Sequence, residues 1–303
     1  MTWRCLVRPR RAWRRLRGLA TAAGQVCWLG HAAVWAQLGA ASVLFDPMFF
    51  PEPEPARSWR PHTPDWRTIS ADAIAITHGD HDHLNPGSLL LLNPRLPVFL
   101  PQSPPPKPYQ VDMEAILTCL GFDQLVPLAP WQEHSFFDLR LTAAPFRGEN
   151  WGLSLAQCTY LLSGPRGTLY LSADSRHDPQ VTARLRQAPP IDLALLGVCG
   201  CAEPLIASAQ YGCDFYRSAL DPAKRNQWTE HSADPLEAAE LAQALGAHNA
   251  FGYAAGGGAF YQLGFSDNGE ASVFAQALSG STVQAVDLPL GHPVALSALP
   301  PFR

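Results

Sequence analysis

Short apolar runs recur along the chain and set its expected secondary structure. Segments of four to seven residues rich in Val, Ile, Leu and Phe lie at 43–46, 73–77, 97–100, 138–143, 157–163, 168–173, 191–196 and 249–253, separated by Gly, Pro, Asn and Asp. Runs of that length between such breaks predict buried strands. Three stretches carry helical spacing instead, at 112–120, 178–187 and 235–245. The last is the best marked, with Asp234 as N-cap, Pro235 at the first helical position and Gly246 just past the end. The pattern by itself predicts a strand-rich α/β chain.

Length and charge refine this. A chain of 303 residues with 47% hydrophobic content can bury one large core, and no repeat or low-complexity linker divides it. The expected organisation is a basic leader over 1–25 and a single domain over 26–303. Arg4, Arg8, Arg10, Arg11, Arg14, Arg15 and Arg17 fall in the leader, and no acid precedes Asp46. With a formal net charge of −4 overall, the rest of the chain carries −11 once those seven arginines are set aside. Trp3, Leu6, Val7, Trp13 and Leu16 lie between the arginines. The leader therefore reads as an amphipathic helix for weak contact with an anionic membrane surface, as a strap across the acidic body, or as frayed chain. Gly18 to Gly24 is too short and too weakly apolar for a secretory signal, and no apolar run is long enough to span a bilayer.

The acidic body and a total of two lysines, Lys107 and Lys224, oppose a nucleic-acid or polyphosphate partner. They favour a small-molecule substrate, uncharged or singly charged. Seven cysteines at irregular spacing imply no disulfide framework, so a reducing cytoplasm is the expected compartment. Pro-rich loops at 51–55 and 101–106, Trp151 and the Gly-rich stretch 254–259 are expected to rim a pocket. Arg147, Arg176 and His177 are the nearest candidates to meet an anionic group.

The chemistry concentrates at Thr77-His78-Gly79-Asp80-His81-Asp82-His83-Leu84. Three His and two Asp stand in six consecutive positions directly after the apolar run Ala73 to Thr77, and Asn85-Pro86-Gly87 follows. Imidazole and carboxylate are the side chains that hold divalent metals, and α/β folds place their sites in loops at strand C-termini.

This string resembles the His-x-His-x-Asp-His signature of the metallo-β-lactamase superfamily, with Asp80 standing where most of its hydrolases carry the second His. The resemblance runs from about Val26 to Phe265. Leu29-Gly30-His31 followed by Asp46-Pro47 is similar to the opening hairpin of the branch containing ascorbate-phosphate lactonases and N-acyl phosphatidylethanolamine phospholipases D. The run 168–173 ending in Asp174 is similar to the strand whose Asp bridges two metals. The resemblance implies an α/β fold, an αββα sandwich of two mixed β-sheets with helices on the outer faces. It also implies a binuclear centre in which His78 and Asp80 serve one metal, Asp82 and His83 the other, and Asp174 both. His81 falls on a variable position and is expected to be an exposed loop imidazole. Two family His are absent. Glu149 is the carboxylate available for the first place, and His231, similar to a substrate-pocket His of the phospholipases, for the second.

A donor set this rich in carboxylate suits iron or manganese, with zinc possible. Since most members of the family hydrolyse their substrates, the first implied function is a metal-dependent hydrolase acting on a small ester, lactone, amide or phosphoester. Asp82 would orient a metal-activated water, with His231 beside it. The alternative is a non-haem diiron oxygenase or an oxygen-reducing enzyme on the same fold, since flavodiiron oxygen reductases and the diiron β-hydroxylases of antibiotic pathways carry an acid at the second position. A third reading is a degenerate, non-catalytic metal- or ligand-binding protein.

Overall fold

Adjacent residues of one strand serve different cores, and this alternation builds the molecule. The computed structural model describes residues 24–49, 70–106, 111–148, 156–200, 202–204, 228–230, 232–254 and 271–301. In β4 (Ala73–Ala75), Ala73 and Ala75 face the central core while Ile74, with Ile76 after it, faces an outer one. In β11 (Leu193–Gly197), Leu193 and Leu195 point inward and Ala194 and Leu196 outward. A period of two sends alternate side chains to opposite faces, so a strand apolar throughout must be covered on both.

Two seven-stranded mixed sheets result. The first orders β16 (Val294–Ala295), β1 (Gln25–Gly30), β2 (Ala33–Gln37), β3 (Ser42–Phe45), β4, β5 (Val98–Pro101) and β6 (Leu125–Leu128). It is antiparallel up to β3 and parallel from there on. The second orders β15 (Gln284–Ala285), β14 (Asn249–Tyr253), β11, β10 (Gly167–Leu171), β9 (Cys158–Gly164), β8 (Leu139–Pro145) and β7 (Glu133–Phe136). Here β15 to β10 run parallel and β9 to β7 antiparallel. A small hairpin pairs β12 (Ala202–Pro204) with β13 (Trp228–Glu230).

Phe45, Phe99, Tyr160, Leu162, Leu171 and Leu195 fill the space between the sheets. The helix Pro235–Leu245 buries Ala238, Leu241, Ala242 and Leu245 against the outer face of the second sheet. Leu89 and Leu117, from the helices Pro86–Leu89 and Met113–Cys119, cover Ile74 and Ile76 on the first. This is the expected αββα sandwich, and each helix and strand expected from the sequence is present within a few residues. The cap of Pro235–Leu245 is also as expected. Asp234 Oδ1 accepts from the amides of Leu236 and Glu237 at 2.8 Å each, and Gly246 closes the helix at φ 66°. Among the described residues no helix is long and apolar enough to cross a membrane. Residues 1–23 of the expected leader 1–25, the loop 51–55, Glu149, Trp151, the segment 255–259 and His231 lie outside the described residues, and Gln25 opens β1.

Candidate metal centre

The C-terminal ends of β3, β4 and β10 and the β1–β2 turn converge on one edge of the sandwich, and every placed candidate ligand sits there. The two sheets are stitched directly beneath it. The Tyr160 hydroxyl donates to the Ile76 carbonyl at 2.9 Å, and the Cys158 amide to the Thr77 carbonyl at 2.9 Å. Two of these strand ends bend through left-handed backbone, at Asp46 (φ 40°) and Ala173 (φ 47°), as do the turn residue His31 (φ 44°) and Ala254 (φ 53°) after β14. Non-glycine residues adopt that region at a cost and collect at functional sites.

His78, Asp80, Asp82, His83 and Asp174 come together as the sequence led us to expect. His78 Nε2 lies 3.5 Å from Asp80 Oδ2 and 3.8 Å from Asp174 Oδ2. His83 Nε2 lies 3.3 Å from Asp174 Oδ2 and 3.9 Å from Asp82 Oδ2. Asp174 therefore stands between the two imidazoles. Two donor sets each fall within 4.8 Å, one of His78, His83 and Asp174, the other of His31, Asp82 and His83. His81 is exposed, as expected.

Beneath the donors lies a polar network of Asp46 and Thr77 whose role sequence reasoning missed. Asp46, 1% exposed, accepts the Thr77 amide on Oδ1 at 2.8 Å. Its Oδ2 accepts the Thr77 hydroxyl at 2.6 Å and His83 Nδ1 at 2.8 Å. Thr77 Oγ1 also lies 2.9 Å from His78 Nδ1. A carboxylate only accepts and a hydroxyl has one proton to give, so the order of protons follows. Thr77 donates to Asp46 and must accept from His78 Nδ1–H, while His83 donates its own Nδ1–H to Asp46. Both imidazoles then present Nε2 to the site. A partner that fixes the far nitrogen is what metal-binding histidines require. The signal was legible in principle, since Asp46 ends an apolar strand just as Asp174 does.

The electrostatics agree. Burial alone disfavours charge on His83, yet Asp174, Asp82 and Asp46 hold its imidazole well above the usual range. Burial would likewise raise Asp82, but His83 and the hydrogen bond from His31 hold it well below the usual carboxylate range. Asp174 is lowered too, against burial, chiefly by His83. His83 Nε2 is nevertheless buried without a hydrogen-bond partner. An unpartnered nitrogen among carboxylates that all favour a cation fits a metal ion.

Arg147 and Arg176 both make hydrogen bonds around the loop that follows Asp174. Arg147 donates to the His177 carbonyl at 2.6 Å, and Arg176 Nε to Glu237 Oε2 at 2.9 Å. Beside the site, Phe146 packs on the His78 ring with centroids 5.7 Å apart. Phe146 also lines a cavity of about 260 Å³ with Pro101, Gln102, Leu128, Ala144 and Cys158. Pro101 and Gln102 belong to one of the Pro-rich loops expected at a pocket rim.

Comparison with known proteins places this geometry among relatives. A family model described as a beta-lactamase superfamily domain matches residues 41–252. Over 235 residues the chain is 25% identical to a 4-amino-L-phenylalanyl-[CmlP-peptidyl-carrier-protein] 3-hydroxylase of Streptomyces venezuelae, covering 76% of this chain and 43% of that protein. The chain thus spans less than half the length of this curated relative. Among solved structures it is similar to CmlA, a diiron beta-hydroxylase from Streptomyces venezuelae, with TM-score 0.69, 20% identity, and coverage of 88% of this chain and 53% of that one. It is also similar to Igni18, a metallo hydrolase from Ignicoccus hospitalis, with TM-score 0.61, 12% identity and coverage of 89% and 97%. At these identities the structural likenesses establish the metallo-β-lactamase fold.

Proposed function

The chain belongs to the beta-lactamase superfamily, and from that premise we propose that it is a non-haem diiron oxygenase that hydroxylates a small, amino-acid-derived substrate. The observation that carries this reading is the donor set: three carboxylates, Asp80, Asp82 and Asp174, meet the Nε2 atoms of two histidines. Hard, anionic oxygen donors favour iron or manganese over zinc. In the proposed arrangement His78 and Asp80 would hold one ion, Asp82 and His83 the other, and Asp174, which stands between the two imidazoles, would serve both. Glu149 and His231 are proposed as further ligands. Two iron ions, when bound, would supply the redox chemistry with dioxygen. The chain's own residues hold those ions, fix both imidazole tautomers through Asp46 and Thr77, and wall the site with Phe146. The reaction takes one oxygen atom into a C–H bond and releases the other as water, consuming two electrons and two protons from an external reductant. The hydroxylase relative supports the substrate class.

Metal-dependent hydrolysis is the second reading. It is favoured by Asp82, a carboxylate held among the metal-facing atoms where a water nucleophile needs an acceptor. One experiment separates the two. Protein loaded separately with iron, manganese or zinc, and Asp174→Ala loaded the same way, are supplied with reductant and oxygen, and in parallel with lactones and esters under argon. Reductant-dependent oxygen consumption that Asp174→Ala abolishes is expected. Turnover of esters without oxygen, at two zinc or manganese ions per chain, would replace the oxygenase reading with the hydrolase. Less than one metal per chain after loading with iron, manganese and zinc would reject both and leave a degenerate binding protein.

A further inference from the structure

The first hairpin reverses in two residues, His31 and Ala32, between the paired Gly30 and Ala33. Positive φ is confined to the first of these two, His31 at 44°. A two-residue turn with that signature favours glycine at its first position. A side chain there is strained. The carbonyl of His31 is pinned from both sheets, accepting from Trp28 Nε1 at 2.8 Å and from the Ala254 amide at 3.3 Å. The turn is thus fixed against the same edge as the metal-facing residues. Its imidazole is 5% exposed, edge-on to His83 at 5.4 Å between centroids, with Nε2 3.0 Å from Asp82 Oδ2.

Asp82 is placed differently from its neighbours. His83 is anchored by Asp46, and the Asp174 turn by Ser175, Arg147 and Tyr253. Asp82 stands between exposed His81 and buried His83, and among the described residues His31 is its hydrogen-bond partner.

We propose that His31 is a positioning residue that acts through Asp82: it donates Nε2–H to Asp82 Oδ2 and holds the carboxylate in its metal-facing orientation. This inference rests on the reading of Asp82 and His83 as a metal site. A carboxylate fixed before the ion arrives loses less freedom on binding, and removing such an outer partner typically weakens a metal site about 10- to 100-fold. Backbone strain at position 31 is the counterpart of that placement, because glycine would relax the turn but supply no donor.

The test titrates the metal-free full chain with cobalt(II), followed by absorption, for wild type, His31→Ala and His31→Gln, with melting curves of each metal-free protein. In His31→Ala one cobalt equivalent should weaken about 10- to 100-fold while the other is unchanged and the metal-free melting temperature stays within a few degrees. His31→Gln, whose amide can donate to Asp82, should recover most of the loss. Wild-type affinity in His31→Ala overturns the proposal. So does a glutamine variant as weak as the alanine one, which would make the imidazole itself a ligand. A loss of affinity that tracks the melting temperature in both variants also overturns it, in favour of a structural role. Wild type taking up less than one cobalt per chain rejects the metal-site reading and this inference with it.

Discussion

Asp46→Asn tests the claim that one buried carboxylate sets both histidine tautomers. Asparagine is nearly isosteric and tolerates the left-handed backbone at φ 40°, so the perturbation is chemical. The amide oxygen can still accept the Thr77 amide at the Oδ1 position. The amide nitrogen then replaces Oδ2 and faces two donors, the Thr77 hydroxyl at 2.6 Å and His83 Nδ1–H at 2.8 Å. To avoid donor against donor, Thr77 must turn its proton to His78 Nδ1, and His83 must move its proton to Nε2. Both imidazoles then carry hydrogen where the metal needs a lone pair. Three bonds to a charged group, worth about 1.5–3 kcal/mol each, become three neutral ones of about 1 kcal/mol each, leaving a stability loss of roughly 1.5–6 kcal/mol. For metal affinity the outer-partner range is about 10- to 100-fold. Since two ligands are affected together, the upper end is expected, about 2.7 kcal/mol. Cobalt(II) titration against a competing chelator measures the affinity, and melting curves the stability. Thr77→Val, which removes the His78 partner but leaves Asp46 on His83, should give a smaller loss. Asp72→Asn is the control. Asp72 accepts the Ser42 amide and hydroxyl at 3.0 Å at the far end of β3, so its loss should reach stability and spare affinity. Asp46→Asn protein that binds cobalt as wild type does would refute the tautomer argument.

Gly197 lies against the Ala173 carbonyl so closely that an added Cβ would displace it. Gly197→Ala should cost about 1–3 kcal/mol and reduce metal loading by moving Asp174; a well-folded variant with full loading would contradict this. In the metal-free protein, the proton held on His83 contributes stability that is complete below 6.5, the ordinary imidazole value, and is lost as pH rises through the elevated folded value. Asp82 and Asp174 act oppositely, their contribution lost as pH falls through their depressed values. Because a metal displaces the His83 proton, cobalt affinity should rise with pH across the window in which the metal-free melting temperature falls. Affinity independent of pH would count against His83 as a ligand.

Much of this was legible in the chain. The eight apolar runs became strands and Asp234-Pro235 with Gly246 bounded a helix, because period and capping act over a few residues. The edge strand Glu133–Phe136 escaped notice, since a polar, half-exposed strand carries no apolar run. The string from His78 to His83 announced a metal site because its donors are consecutive. What it could not announce is how those donors are held. The partner of His83 lies 37 residues earlier, at Asp46, and that of Asp82 lies 51 residues earlier, at His31. Asp174 reaches the imidazoles from the other sheet. Donor identity is a property of side chains and can be read in order along the sequence. Tautomer, orientation and convergence depend on contacts between segments remote in sequence: strand pairing within the first sheet brings Asp46 to 2.8 Å from His83 and His31 to 3.0 Å from Asp82, and the packing of the second sheet against the first adds Asp174 at 3.3 Å from His83.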